Sequence, residues 1–350
     1  MKVTIVGAGA IGGTMGAYLT RAGHEITFVD AVEDHMRVIN ERGLTIEGPG
    51  ETFTVRAPAL LPSQMTGPLG MVFLAVKTMQ TDVGARQIAP HLAPDGAIVS
   101  MQNGFNEERI ATIVGRGRTI GAFVNFGADY LEPGRIMYGG AGALYIGELN
   151  GALSTRVTVL ADSLKAAFLP HAQATTNIWG YLWGKHAYAA MLKATALTDA
   201  TIADVLDDPV ARPVMANLAA EVLALAAAEG VRPEGFDGFE PSAFVFPPGR
   251  DEVRLQASLD ALVVMNRKWL KAKSGVWRDL AVRKRKTEVE SVVTELRARA
   301  ARHEIPIPLV EAVGRMILEI ESGARAMSWD NIRALADLNA RTYGTGAVHV

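Results

Sequence analysis

The stretch MKVTIVGAGAIGGTMGAYLTRAGHEITFVD, residues 1–30, decides the fold of this chain. A short apolar run at residues 3–6 predicts a strand, and it leads directly into the glycine-rich turn GAGAIG at residues 7–12. Small residues at helical spacing follow, and a second apolar strand at residues 26–29 ends on Asp30. This order of strand, glycine turn, helix, strand and terminal acid predicts a dinucleotide-binding unit built on a parallel sheet.

Each glycine of the turn has a physical role in such a site. Gly7 permits the tight turn, Gly9 lets the backbone approach a pyrophosphate, and Gly12 lets the helix pack close to the strand. We expect the phosphates to bind the backbone N–H groups around Ala10 and Ile11, at the positive end of the helix dipole. A flexible turn in some other α/β domain is the alternative, and the strand and acid that follow disfavour it.

Asp30 predicts which nucleotide binds. It lies where such folds place the carboxylate that accepts hydrogen bonds from the adenosine ribose hydroxyls. A carboxylate there repels a 2′-phosphate, and residues 31–34, Ala-Val-Glu-Asp, contain no Arg or Lys to bind one. We therefore predict NAD(H) as the cofactor, in preference to NADP(H).

The composition is ordinary for a globular enzyme, and its 350 residues indicate two domains. A net charge of −2 gives no electrostatic case for a nucleic-acid or membrane partner. The absence of cysteine excludes disulfides, thiolate catalysis and cysteine-based zinc sites, and we predict no metal site. The longest apolar stretch, residues 218–228, is interrupted by Glu221 and too short to span a bilayer. Glycines within the first apolar run, followed by Arg21 and His24, disfavour a signal peptide, so we expect a cytoplasmic protein.

Two later apolar runs predict further buried strands of the same sheet. The run at residues 71–76 ends at Lys77, and the run at residues 97–101 is followed by Gln-Asn-Gly, which includes Asn103. Ligands of open α/β sheets bind at the carboxyl ends of the strands, so both side chains are candidates for the cofactor crevice. The alternatives are a solvated helix start for Lys77 and a plain turn residue for Asn103.

The β-strand signals end near residue 176. Three strand-like segments separated by glycines predict antiparallel additions that close the sheet, and a helix and a last strand follow: residues 119–125, 135–138, 143–146, 156–168 and 172–176. Helical periodicity then continues to the end of the chain. We therefore predict an α/β fold with an N-terminal Rossmann dinucleotide-binding domain, residues 1–176, and a C-terminal all-helical domain, residues 177–350.

The predicted helix at residues 177–197 contains Lys185, Ala189 and Lys193, which are four residues apart and share one face. Tryptophans and leucines on this helix indicate burial, where a lysine needs a specific reason. A surface helix with scattered lysines is the alternative. Further on, Thr287 and Glu290 match a capping box, which predicts a helix start that holds Glu288 in its first turn.

Residues 230–273 form an excursion rich in glycine, proline and phenylalanine, with a helical stretch at residues 252–269. Phenylalanines close to prolines predict a loop that packs onto the body of the domain. A lid over the substrate is the alternative.

Several of these motifs together resemble the ketopantoate (2-dehydropantoate 2-) reductase family, of which the chain looks like a divergent member. They are GAGAIGG at residues 7–13, Val76-Lys77, Met101-Gln102-Asn103-Gly104, Trp183-Gly184-Lys185, and Ser274, Asp279 and Thr287-Glu288. The resemblance spans most of the chain, from Met1 to about Val313.

The resemblance implies an oxidoreductase in which a Rossmann domain and a helical domain enclose a cleft. Hydride passes there between a nicotinamide and a 2-oxo or 2-hydroxy acid. By resemblance, Lys185 is the general acid and Glu288 lies near the reacting hydroxyl. Asn103 and Lys77 line the cofactor and substrate cleft, and Ser274 binds the substrate carboxylate. We also expect a homodimer.

The chain departs from the family pattern around the substrate. Ala189 and Lys193 replace asparagines, and Lys271 replaces another, three residues before Ser274. The interval from Asp279 to Glu288 is one residue longer than usual, and Asp30 disagrees with the NADPH preference of familiar members. The space left at Ala189, and the positive charge of Lys193 and Lys271 if both point inward, predict a substrate larger than ketopantoate, with a dicarboxylic acid as one candidate. The alternative is that both lysines reach out to solvent.

Two other functions fit parts of the pattern. A non-enzymatic NAD-binding sensor or scaffold would keep the glycine turn, but it has no need of a proton donor such as Lys185 with Glu288. A hydroxyacid or polyol-phosphate dehydrogenase also joins a Rossmann domain to helices, and the Thr287-Glu288 motif disfavours it.

Overall fold

The computed structural model describes residues 1–269 and 272–344. The chain divides into two compact units, the first being Met1–Ile178 and the second starting at Trp179. This division lies two residues after the boundary expected from the loss of β-strand signals.

The first unit combines strands with helices. Its strands are β1 Lys2–Val6, β2 Glu25–Val29, β3 Leu44–Gly48, β4 Glu51–Val55, β5 Ala59–Leu60, β6 Leu69–Leu74, β7 Leu92–Ser100, β8 Thr119–Asn125, β9 Ala128–Glu132, β10 Arg135–Tyr138, β11 Ala143–Glu148 and β12 Ala172–Ala174. Its helices are α1 Ala10–Arg21, α2 Glu33–Arg42, α3 Thr81–Ile88, α4 Glu107–Val114 and α5 Thr155–Ala167.

The main sheet has eight strands in the order β12-β11-β8-β7-β6-β1-β2-β5. Its neighbours pair in parallel, except that β11 runs antiparallel to β8. Because β2 and β6 flank β1 on opposite sides, the connections leave β1 in opposite directions. This switch point is where doubly wound sheets bind ligands at the carboxyl ends of their strands. The predicted Rossmann fold is confirmed.

The apolar runs read from the sequence form the core of this sheet. Ile5, Phe28 and Phe73 on three adjacent strands are all completely buried. Strands of a parallel sheet are covered by helices on both faces, so they need continuous rather than alternating apolar residues.

The first unit contains a second sheet, of which the sequence predicts only a hairpin at residues 44–46 and 52–55, around Gly48-Pro49-Gly50. It has the order β4-β3-β10-β9, with β3 and β4 as an antiparallel hairpin and β10 parallel to β3. The expectation that residues 119–125 and 135–138 make antiparallel additions to the main sheet is therefore wrong. β8 joins β7 in parallel because α4 provides a crossover between them, and β10 belongs to the second sheet.

The second unit is helical, as predicted. Its helices are α6 Ile178–Thr195, α7 Ile202–Asp207, α8 Ala211–Ala228, α9 Glu252–Lys268, α10 Gly275–Ala281, α11 Val289–His303, α12 Pro308–Glu321 and α13 Trp329–Tyr343. Within the described part of this unit, the β-structure is limited to a single bridge between Phe236 and Phe239.

The segment between α8 and α9 packs onto the helices. Phe236, Phe239 and Phe244 are buried and contact one another through their rings. Phe246 stacks on Tyr343 of α13, with ring centroids 4.8 Å apart. The packed loop predicted from the phenylalanines is confirmed for these residues.

Helix α8 is long and apolar enough to cross a membrane by length and composition, yet 72% of it is buried inside the protein. Its acidic residue, Glu221, is completely buried and finds its hydrogen-bond partners inside the protein, as expected for a core helix. One carboxylate oxygen accepts hydrogen bonds from Leu309 N (2.9 Å) and the Tyr343 hydroxyl (2.7 Å), and the other accepts from Val310 N (2.9 Å). Glu221 thereby satisfies the first N–H groups of α12.

Burial raises the pKa of Glu221 to about 7, from its ordinary value of 4.5, against the opposing effect of these donors. The folded chain therefore holds this proton more tightly than the unfolded chain does. The contribution of Glu221 to the free energy of unfolding is complete below pH 4.5 and falls as the pH rises to about 7, by up to ~3 kcal/mol.

We test this with urea unfolding of wild type and Glu221→Gln at pH 5 and pH 8. The variant lacks the titrating group, so the wild-type free energy of unfolding minus that of the variant should be smaller at pH 8. A difference that does not change with pH would contradict the prediction.

Candidate functional site

The glycine turn between β1 and α1 has the geometry of a phosphate-binding turn. Gly7 has φ +97°, and a Cβ there would lie 2.7 Å from the backbone of Ala75 and Val76 at the end of β6. A Cβ at Gly12 would lie 2.1 Å from the carbonyl oxygen of Gly7. Side chains are therefore excluded at both positions, as the sequence predicted.

The start of α1 can accept an anion. A Cβ at Gly9 would meet no atom within 4 Å, so the backbone is open on that side. Gly9 is the N-cap of α1 and gives no side-chain cap, which leaves N–H groups in the first turn, around Ala10 and Ile11, without a capping side chain. These residues fit a nucleotide pyrophosphate, because uncapped N–H groups and the helix dipole both favour a phosphate.

Asp30 follows β2 and contacts the same turn. Its Oδ2 accepts a hydrogen bond from Ala8 N at 2.8 Å, and its Oδ1 accepts one from Val32 N at 3.0 Å. The carboxylate is therefore fixed by two backbone donors. Each oxygen keeps a second acceptor position, so these contacts leave room for hydrogen bonds from ribose hydroxyls.

Lys77 and Asn103 lie just beyond the carboxyl ends of β6 and β7. Lys77 is half-buried and precedes a short 3₁₀ turn, whereas Asn103 is exposed and precedes Gly104, which has φ +99°. The two loops are joined because the Thr78 hydroxyl donates to Asn103 O at 2.6 Å. The structure thus brings both predicted residues to the same edge of the sheet.

A network of buried polar side chains lies behind these loops and was not predicted from the sequence. The Gln102 side-chain amide donates to Val76 O (2.9 Å) and to the Thr81 hydroxyl (2.8 Å). The Asn106 amide donates to Asn103 O at 2.7 Å. Buried polar side chains directly after two strands were the available signal, since such groups need partners within the protein.

In the second unit, α6 carries the three residues predicted to share a face. Lys185, Ala189 and Lys193 are each half-buried. The neighbouring Trp183 is 1% exposed and the Arg299 guanidinium lies 5.6 Å from its ring centroid. The predicted burial of this helix is confirmed.

Lys193 lies beside a small cavity. The other lining residues come from α6, α8, α11 and α12 and are all apolar: Ala190, Leu218, Val292, Val293, Leu296, Val310 and Val313. The Lys193 ammonium is 3.5 Å from Ala189 O. Burial lowers the pKa of Lys193 to about 8, and the opposite charge of Glu288 acts against this shift.

Glu288 is the N-cap residue of α11, which begins at Val289, and its side chain is half-buried. The predicted capping box is wrong. Thr287 instead donates from its backbone N and its hydroxyl to the Glu321 carboxylate, at 2.8 and 3.0 Å. A carboxylate on α12 therefore replaces the local partner, Glu290.

Ser274 is buried and caps the N-terminus of α10. Its hydroxyl oxygen accepts a hydrogen bond from Trp277 N at 3.2 Å. The adjacent Lys273 ammonium donates to the Asp199 carboxylate at 2.6 Å and lies 3.8 Å from the Trp277 ring centroid. Lys271, expected near Ser274, lies outside the described residues.

Two models of one protein family match this chain. Ketopantoate reductase PanE/ApbA matches residues 3–151, and Ketopantoate reductase PanE/ApbA C terminal matches residues 177–321. A 2-dehydropantoate 2-reductase from Mesorhizobium japonicum is 27% identical over 349 residues, which covers 92% of this chain and 99% of that protein.

Solved structures of other proteins have the same fold over most of this chain. A PanE/ApbA family ketopantoate reductase from Ralstonia eutropha JMP134 has a TM-score of 0.76 and 26% identity, over 92% of this chain and 99% of its own. A D-mandelate dehydrogenase, solved with NADH and anilino(oxo)acetate, has a TM-score of 0.80 over the same shares. Its 19% identity shows a common fold only. Since the two family models together cover most of the sequence, and the glycine turn has the required geometry, the chain belongs to the ketopantoate reductase family of NAD(P)-dependent oxidoreductases.

Proposed function

We propose that this oxidoreductase transfers hydride between NAD(H) and a 2-oxo or 2-hydroxy acid larger than ketopantoate, and that a second anionic group on the substrate is favoured. The observation that carries the substrate proposal is Lys193. The side chain of this lysine is half-buried, and its ammonium is close enough to Glu288 for their opposite charges to interact, where the family pattern has a neutral asparagine. Family membership favours an enzyme over the sensor or scaffold alternative.

The side chains have separate roles in this proposal. The glycine turn and Asp30 bind the cofactor, which supplies or accepts the hydride at the substrate carbon. Lys185 donates a proton to the carbonyl oxygen, which would otherwise become an unprotonated alkoxide. Glu288 accepts a hydrogen bond from the hydroxyl formed, and Ser274 binds the substrate carboxylate. Lys77 and Asn103 line the cleft.

Ala189 and Lys193 define the substrate selectivity. Ala189 lacks the amide of an asparagine, so it offers less hydrogen bonding and more space. Lys193 adds a positive charge, and its side chain lines the otherwise apolar cavity. Burial lowers the pKa of Lys193 to about 8 even though Glu288 acts against this shift, so a substrate carboxylate nearby would stabilise the charged form of the lysine further.

We expect wild type to have a higher kcat/KM for bulky or dicarboxylic 2-oxo acids than for ketopantoate. The double variant Ala189→Asn/Lys193→Asn should shift this ratio toward ketopantoate by roughly tenfold or more, the effect of about 1.4 kcal/mol. The assay follows NADH absorbance with each acid.

Lys193→Met is the matched control, because it removes the charge and keeps the volume of the side chain. It should lower kcat/KM for dicarboxylic acids and leave monocarboxylic acids nearly unchanged. A wild type that prefers ketopantoate, or a double variant with an unchanged ratio, would show that this helix face does not select the substrate.

From the family resemblance we also propose that the enzyme is a cytoplasmic homodimer.

A further inference from the structure

His35 on α2 is buried against the cofactor-binding turn. Its imidazole is 1% exposed and lies on the same helix face as Met36 and Ile39. Its Nε2 is 2.9 Å from Ala8 O, within the glycine turn. Its Nδ1 accepts a hydrogen bond from Gly134 N at 2.9 Å, in the turn between β9 and β10.

These contacts determine the tautomer of the ring. A backbone N–H only donates, so Nδ1 must be the acceptor for Gly134. The ring hydrogen is therefore on Nε2, which donates to Ala8 O. A ring protonated on both nitrogens would lose the bond from Gly134.

Ala8 is consequently held at both of its backbone polar groups by side chains. Its N–H donates to Asp30 at 2.8 Å, and its C=O accepts from His35 at 2.9 Å. Ala8 separates Gly7 and Gly9, so these two contacts fix the turn immediately before the first N–H groups of α1.

His35 also connects this turn to the second sheet. The Gly134 carbonyl accepts a hydrogen bond from Thr45 N of β3 at 2.8 Å, so Gly134 is itself tied to that sheet. Tyr130 of β9 packs its ring edge-on to the imidazole, with centroids 5.1 Å apart. Ile136 of β10 lies close to Gly13 of α1. A Cβ added at Gly13 would be 2.3 Å from the Cδ1 atom of Ile136.

We propose that His35 is a positioning residue for the nicotinamide cofactor. By donating to Ala8 O from a ring anchored on the second sheet, it holds the glycine turn in the conformation that receives the pyrophosphate. The second sheet thereby contributes to cofactor affinity. This role requires only the cofactor binding common to the family, and it is independent of the proposed substrate and of the preference for NADH.

Two substitutions separate the two hydrogen bonds. Glutamine places a donor near the position of Nε2, so His35→Gln can keep the bond to Ala8 O. Asparagine places an acceptor near the position of Nδ1, so His35→Asn can keep the bond from Gly134 and loses the bond to Ala8. Both variants are uncharged at every pH used.

The experiment measures the Kd of NADH and of NADPH by fluorescence titration, with kcat at saturating cofactor and the thermal midpoint of each variant. We expect His35→Asn to raise both Kd values roughly tenfold with kcat nearly unchanged. His35→Gln should restore Kd to within about twofold of wild type, although both variants lose stability. Glu41→Gln, at an exposed acid near the end of α2, is the control and should leave Kd unchanged.

Equal Kd values in the two variants would overturn the proposal, because a purely structural histidine affects stability without distinguishing the two bonds. A His35→Asn chain that does not fold would overturn it as well, since His35 would then act on folding rather than on the cofactor. Wild-type Kd values in both variants, with only the thermal midpoint lowered, would contradict the role of His35 and leave the proposed substrate untouched.

Discussion

Lys185→Met is expected to lower kcat by roughly 10² to 10⁴-fold while the Kd of NADH stays within about twofold of wild type. A carbonyl that gains hydride develops negative charge on oxygen, and a positioned ammonium stabilises this charge and donates the proton. Methionine keeps the length and apolar stem of the side chain but has no proton to give. Because the residue belongs to α6 and not to the glycine turn, cofactor binding should persist.

The measurement combines steady-state kinetics on the best substrate with a fluorescence titration of NADH. Lys268→Met provides the control, since Lys268 is an exposed lysine at the end of α9 in the same unit and should keep wild-type kcat. A Lys185→Met enzyme with near wild-type kcat would remove Lys185 from the chemistry.

The cofactor end of the fold was predictable because its signals are local. A strand, a turn that only glycine can make and a helix occupy consecutive residues, and Gly7 and Gly12 are constrained by backbone atoms of neighbouring strands and of the turn itself. The same holds for the apolar runs that form β6 and β7. A strand buried on both faces is a continuous apolar run, so it can be recognised without knowing which strands it pairs with.

The second sheet could not be predicted in the same way. The β10 segment has the composition of a strand, but it pairs antiparallel with the preceding β9 and parallel with β3, which lies much earlier in the chain. Periodicity indicates that a segment is extended and does not indicate which edge it joins. Thr287 shows a related limit, because its local capping motif is correct in sequence and Glu321, far along the chain, binds it instead.

The roles of two buried polar residues were also not predicted from the sequence. His35 lies on the buried face of α2, and Glu221 lies within α8, a helix apolar enough in composition to cross a membrane. A polar residue on a buried face requires a partner, and this is a usable signal even from one sequence. The partner of His35 is the Ala8 carbonyl, and the partners of Glu221 are N–H groups in the first turn of α12. Both become known only from the structure.

Wild type is expected to bind NADH about 30-fold or more tightly than NADPH, a difference of ~2 to 3 kcal/mol. Asp30 is fixed by Ala8 N and Val32 N, so its carboxylate cannot turn away from a 2′-phosphate without breaking those bonds. The next cation along the chain, Arg37, already contacts Asp34 and Glu41, at 3.2 and 3.0 Å. A 2′-phosphate would therefore meet negative charge without a nearby available partner from α2.

Asp30→Asn tests the charge with little change of shape. Its amide oxygen can still accept one of the two backbone hydrogen bonds, so the turn should persist, whereas Asp30→Ala also releases Ala8. We expect the asparagine variant to bind NADH less tightly and to narrow the preference to a few-fold, measured by titration at low ionic strength, where charge effects are least screened. Asp34→Asn, an exposed acid on α2, should change the preference much less. Two outcomes would contradict this prediction: comparable affinities of wild type for NADH and NADPH, or an unchanged preference for NADH in Asp30→Asn. Either would show that Asp30 does not determine which of the two nucleotides binds.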